Sequence, residues 1–221
     1  MTSPARSTSS RPPTRLPSTR VLSALALLGF VASLLGFGAT LDGFSHATHP
    51  VALLGARGVP RWWAFDLLGF VLPGLLAWAS IVRSSIADNA RADGGGRLLG
   101  VGWTLCAIAA LAFAAQGALP IDAAQGFGYG IARLHAAAWT VWWIAFAAGG
   151  VMLAIGWRGR IALRFATAFV VALVLVFSFV AVPGAPAMGQ RVAFVAWLAW
   201  VACVGWEVWM PREGVRSNAG A

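Results

Sequence analysis

The sequence contains no lysine, one tyrosine and two cysteines, and only 10% of its residues are charged. A soluble domain carries roughly a quarter charged residues, so this chain has too little polar surface to face water alone. All sixteen basic residues are arginine, which, with the abundant Ala and Gly, reads as compositional bias and carries no chemistry. Cys106 and Cys203 both fall inside apolar runs. A secreted disulfide framework and a thiolate metal site are therefore excluded, and both cysteines read as small core residues. No P-loop, GxSxG or HExxH pattern is present, and nothing places a base against Ser45. GFGYG (126–130) has no strand before it, so it is not a dinucleotide fingerprint.

What the chain has is apolar length. Hydrophobic residues make up 59% of it, and six runs, at about 21–41, 63–82, 98–118, 135–156, 163–182 and 192–210, match the roughly 20 residues a spanning helix needs. They do not alternate apolar and polar positions as barrel strands do. The expected fold is all-α: a polytopic membrane protein, a bundle of six transmembrane helices. Residues 1–20 read as a disordered tail rich in Ser, Thr, Pro and Arg, and 211–221 as a short tail. The first run is too long for a signal h-region and ends in FGATLDG without an A-x-A site, so it reads as an uncleaved anchor.

The net charge of +9 has a pattern. Arginines cluster at the ends of apolar runs and form no stripe, which points to a membrane surface and not to nucleic acid. Twelve (6, 11, 15, 20, 83, 91, 97, 158, 160, 164, 212 and 216) fall on one side of the six spans, and four (57, 61, 133 and 191) on the other. The positive-inside rule then places both termini in the cytoplasm of a bacterial inner membrane.

Tryptophans 62 and 63, and 157, 206 and 209, fall at span boundaries, where indoles sit at headgroup level. The stripe Phe194, Trp197, Trp200 (or Val201) and Val204 reads as packing. Pro73-Gly74 predicts a kink in the second span. The loop ADNARADGGGR, with Asp88 and Asp93, reads as a solvated connector, and Glu207 as a residue that snorkels or pairs with an arginine.

Polar chemistry concentrates on the outer side, in the stretch SHATHPVALLGARGVPR (45–61) and the next outer loop. His46, His49, His135, Asp42, Asp66, Asp122 and the four outer arginines all map there. Ionisable groups at the bilayer margin are costly unless paired or solvated, so this cluster is the default site. Arg61, Arg133 and Arg191 each precede an inward-running helix, whose N-terminus already carries partial positive charge. That placement calls for an anion, and Arg57, Arg61, Asp66 and Arg133 are the candidate ligand-binding residues. The competing account is snorkelling, or pairing with Asp42, Asp66 and Asp122. His49, His135 and Asp122 are the candidate acids or bases if the protein is an enzyme. A zinc site from His46, His49 and His135 is a further alternative, although Pro50 disfavours a helix that would align the first two.

The run HPVALLGARGVPRWWAFDLLGFVLPGLL (49–76) resembles the bacterial membrane family called domain of unknown function 998. The matching features are His49, Leu54-Gly55, Gly58-x-Pro60 and Phe65-Asp66, Asp66 standing where the family has an amide. The block LPIDAAQGFGYGIARLH adds Pro120, Asp122 and His135. The resemblance spans about residues 20–210 and implies six spans. The first block is also distantly similar to the eukaryotic Frag1/DRAM/Sfk1 proteins, some of which handle lipids. The expectation is an outward-facing site that binds or processes a lipid headgroup or other anion, with membrane lipids as partners. Alternatives are a non-catalytic scaffold or regulator of a membrane-protein complex, and a metal-dependent membrane hydrolase. A transporter is disfavoured, because no internal repeat and no mid-membrane charge appear.

Overall fold

The computed structural model describes residues 18–91, 96–122, 124 and 130–207, the side chains of Arg91 and Glu207 excepted. Six helices in it are long and apolar enough to cross a membrane: α1 (Thr19–Thr40), α2 (Trp62–Ala90), α3 (Arg97–Ala118), α4 (Ile131–Gly156), α5 (Ile161–Phe179) and α6, whose apolar span is Met188–Trp206. The described residues hold no strand, only two isolated bridges. The expected all-α, six-span architecture is therefore present. The expected tail at 1–20 falls mostly outside the described residues, as do the tail at 211–221, GFGYG except Gly130, and Asp93. α1 begins within that expected tail, at Thr19, where Ser18 Oγ accepts the Val21 N–H at 3.4 Å. α2 runs past its expected end at 82, because the helix continues beyond its apolar stretch.

Consecutive helices pack side by side, and α1 closes the ring against α6. Arg20 stacks on Trp206 at 5.3 Å, which puts the start of α1 and the end of α6 together. One end of the bundle thus carries both helical termini, and the other carries the links 41–61, 119–130 and 180–187.

Lipid is as apolar as leucine, so close packing must hold such helices together. Two devices supply it. Aromatic side chains fill the ring: Phe113 meets Phe194 and Trp197 at 4.9 Å, Trp142 meets Phe194 at 4.9 Å, and Phe30 meets Phe194 at 5.6 Å. Each such pair contributes about 0.5–1.5 kcal/mol beyond its buried area. Phe194, Trp197, Trp200, Val201 and Val204 are all buried, so their stripe is packing. Glycines supply the second device. A Cβ on Gly149 would lie 2.7 Å from the Gly102 carbonyl, and one on Gly74 2.7 Å from the Ala114 backbone. α3 therefore touches α4, and α2 touches α3, backbone to backbone.

The terminal end corrects three expectations. Asp88 is not in a solvated connector; it is buried in the last turns of α2. Its Oδ1 lies 2.9 Å from Arg160 Nη2, and its Oδ2 accepts indole N–H groups from Trp157 (2.9 Å) and Trp103 (3.2 Å). Trp157 is accordingly an interior donor and not a headgroup-level ring. Cys106 is a core residue as expected, whereas Cys203 is exposed on the outside of α6.

The kink expected at Pro73 is realised one turn earlier. Pro73 has no N–H for the helix ladder, and the preceding Asp66–Val71 segment winds as a π-turn, Leu72 N–H reaching back to Leu67 O.

Candidate functional site

The three links at the loop end are tied into one cap. Ala187 N–H donates to Ala47 O (2.9 Å), and Arg57 N–H to Ile121 O (2.7 Å). Val51 N–H donates to Gln190 Oε1 at 2.9 Å. Arg191, in the first turn of α6, clasps the first link: Nη2 donates to His49 O (2.8 Å), Nη1 to Ala187 O (2.8 Å) and Nε to His46 Nδ1 (3.4 Å). Its guanidinium also stacks on Phe44 at 5.8 Å, a ring bracketed by His46 and His49. Burial, and then the Arg191 guanidinium, push the His46 imidazole below its ordinary value of 6.5.

Arg191 is therefore a brace, which breaks the expected trio of anion-binding arginines. Arg133 is exposed on α4. It lies two residues, roughly 200° of helix, from the buried His135. Arg57 is exposed beside the Trp62 ring at 5.9 Å, and Asp122 Oδ1 accepts the Ala124 N–H at 2.8 Å. Among the described residues no ion pair joins the loop-end arginines to Asp42, Asp66 or Asp122. His46 and His49 sit against Phe44, whereas His135 sits against Phe70. Among the described residues no three His, Cys, Asp or Glu gather as metal ligands.

Arg61 stands apart. It caps the N-terminus of α2 in the left-handed region, at φ 59° and ψ 23°, the sole non-glycine with positive φ among the described residues. Such a conformation costs a side-chain-bearing residue about 1–2 kcal/mol. Its side chain is exposed and has no hydrogen-bonding or ionic partner among the described residues. It lines two adjoining spaces. A cleft of about 260 Å³ under the cap is bounded by Phe37, Thr40, Leu41, Leu54, Val59 and Pro60. An apolar groove of about 340 Å³ runs between α1 and α2 past Ser33, Gly36, Phe37 and Leu68. A Cβ on Gly36 would meet nothing within 4 Å, so the groove is open there.

A second group lies beneath the cap. Asp66 is 5% exposed, Gln116 0% and His135 6%. The Asp66 carboxyl presses on the Cα of Gly55, where a Cβ would overlap it. A Cβ on Gly117 would lie 2.5 Å from Asp66 O and 2.8 Å from Phe70 Cβ. His135 Nδ1 donates to Gln116 O (3.0 Å) and Leu119 O (3.1 Å), which fixes the tautomer and leaves a lone pair on Nε2. Asp66 Oδ2 and both amide atoms of Gln116 have no partner among the described residues. Buried groups of this kind normally find one, and an ionisable residue inside an apolar span is a functional candidate by default. Sequence reasoning found Asp66 and His135 and missed Gln116. Its signal was an amide alone in LAFAAQGALP, deep in an apolar run.

Comparison with protein-family models, curated proteins and solved structures yields no match to this chain.

Proposed function

We propose that the protein binds an amphiphile whose head carries a phosphate or equivalent anionic group, that group held by Arg61 and the apolar tail laid in the α1–α2 groove. The observation that carries this reading is Arg61 itself. A guanidinium on a strained backbone, with no partner among the described residues, stands where the cleft under the cap and the apolar groove meet. A backbone outlier of this kind persists where it serves a site. The guanidinium fork suits a phosphate bidentately. In this reading the loop end faces outward from a bacterial inner membrane and both termini are cytoplasmic, an orientation the arginine distribution supports. Membership of the family called domain of unknown function 998 is part of the proposal, because Gly55, Gly58-x-Pro60 and Phe65-Asp66 surround Arg61. It adds no reaction.

The test is lipid profiling by native mass spectrometry of protein released gently from membranes, comparing wild type with Arg61→Ala. Wild type should retain a phosphate-bearing lipid in stoichiometric amount, and the variant should lose it. Equal retention in both, or none in wild type, overturns the proposal.

A further inference from the structure

We infer that the buried layer formed by Asp66, Gln116 and His135 takes the amine of a zwitterionic amino-phosphate headgroup whose phosphate is held at Arg61. The inference rests on the Arg61 reading and specifies its ligand. Three elements meet in this layer: the π-turn of α2, the last turn of α3 and the second turn of α4. Gly117 packs on the Asp66 carbonyl and on Phe70, and the His135 ring stands at right angles to Phe70, 6.3 Å away.

The unspent valences define the occupant. Asp66 offers carboxyl Oδ2, Gln116 its amide oxygen, and His135 the Nε2 lone pair left by its Nδ1–H bonds to two carbonyls. Against these three acceptors stands one donor group, the Gln116 amide NH2, and exchanging the two amide atoms does not change the count. A compact group rich in N–H donors satisfies such a layer, and a second phosphate does not. A primary amine is the matching chemistry.

The path is short. Leu54 lines the Arg61 cleft, and its neighbour Gly55 lies directly on the Asp66 carboxyl. The 3-10 turn Val51–Gly55 is thus the partition between cleft and layer. The unpartnered atoms of Asp66 and Gln116 are closed off in this conformation, so the amine enters as that turn lifts. Gly58, at φ 95°, and Arg61 supply pivots on its C-terminal side.

The experiment reconstitutes the full chain in nanodiscs. It measures retention of phosphatidic acid, phosphatidylethanolamine and N-acetylated phosphatidylethanolamine. Phosphatidic acid retention by wild type reports on Arg61 alone. The ratio of phosphatidylethanolamine to its N-acetylated form reports on the amine site. Wild type should favour the free amine by about tenfold, the loss expected when one charge-assisted hydrogen bond is removed. Asp66→Asn should bring the ratio close to one. Should that variant fail to fold, Gln116→Met, of similar volume, must lower the ratio instead. A wild type that retains phosphatidic acid without preferring the free amine overturns this inference and leaves the Arg61 reading standing. So does a preference that survives in the variants. Loss of all three lipids in wild type overturns both.

Discussion

Replacing Arg61 by glycine separates its fold role from its binding role. Arg61 holds φ 59°, ψ 23°, a region glycine enters without penalty. Relief of the left-handed strain is worth about 1–2 kcal/mol, and the greater freedom of glycine in the unfolded chain takes back about 0.4–1 kcal/mol. The side chain is exposed and makes no hydrogen bond or ion pair among the described residues, so no further fold contact is lost. Arg61→Gly should therefore match or exceed wild-type stability by up to about 1.5 kcal/mol, the difference of those two ranges. Binding should move the other way. A hydrogen bond to a charged group contributes about 1.5–3 kcal/mol, so retention of phosphatidic acid should fall by about tenfold to a hundredfold. The assay pairs thermal unfolding in one detergent with lipid retention in nanodiscs. A variant clearly less stable than wild type would refute the strain argument, and one that binds phosphatidic acid as wild type does would refute the site.

Asp88→Asn leaves the Arg160 guanidinium without its carboxylate and should destabilise the protein by about 3 kcal/mol, the lower end for a broken buried pair because Arg160 is partly exposed. A melting temperature within a degree or two of wild type would count against that hub. Gly149→Ala should loosen α3 from α4, since the new Cβ would lie 2.7 Å from the Gly102 carbonyl, whereas Gly36→Ala meets nothing within 4 Å and should be tolerated. Equal melting temperatures for these two variants would disprove backbone-to-backbone packing. His46 titrates below its ordinary 6.5 when folded, so the folded chain binds fewer protons there than the unfolded chain. Its contribution is complete above 6.5 and is lost as pH falls below that value. Wild-type stability should drop between pH 7.5 and 5.5 by more than that of His46→Gln, and parallel pH profiles would contradict the clasp.

The six spans were legible because an apolar run near 20 residues has few other uses. The cap was not, because its bonds join groups far apart in sequence, such as Val51 N–H to Gln190 Oε1 and Ala187 N–H to Ala47 O. Arg61 and Arg191 look alike in sequence, each at the start of a helix. Only the packing shows that one is spent on carbonyls and the other is unspent. Asp88 was misread for a related reason. A Gly-rich loop follows it, yet indole donors from Trp103 and Trp157 and the arginine that neutralises it arrive from other elements. The proline at 73 predicts disturbance of the ladder, and the structure shows it as a π-turn over Asp66–Val71.

Local rules are obeyed through most of this chain: helices begin and end near the ends of their apolar runs, and small residues lie where backbones meet. Between Gly55 and Asp66 several are broken together. A non-glycine residue sits in the left-handed region, a helix opens into a π-turn, and a carboxyl is buried with an oxygen that has no partner among the described residues. An unsatisfied buried group costs about 1–3 kcal/mol and the left-handed residue about 1–2 kcal/mol, a large share of the margin by which proteins are stable. Two glycines, Gly55 and Gly117, have backbones that leave room for nothing larger against Asp66. A carboxyl that only filled space could be replaced by leucine without these accommodations. Departures from local consistency concentrate where function requires them. Their convergence on this segment favours a site here over the exposed Arg133 or the braced Arg191.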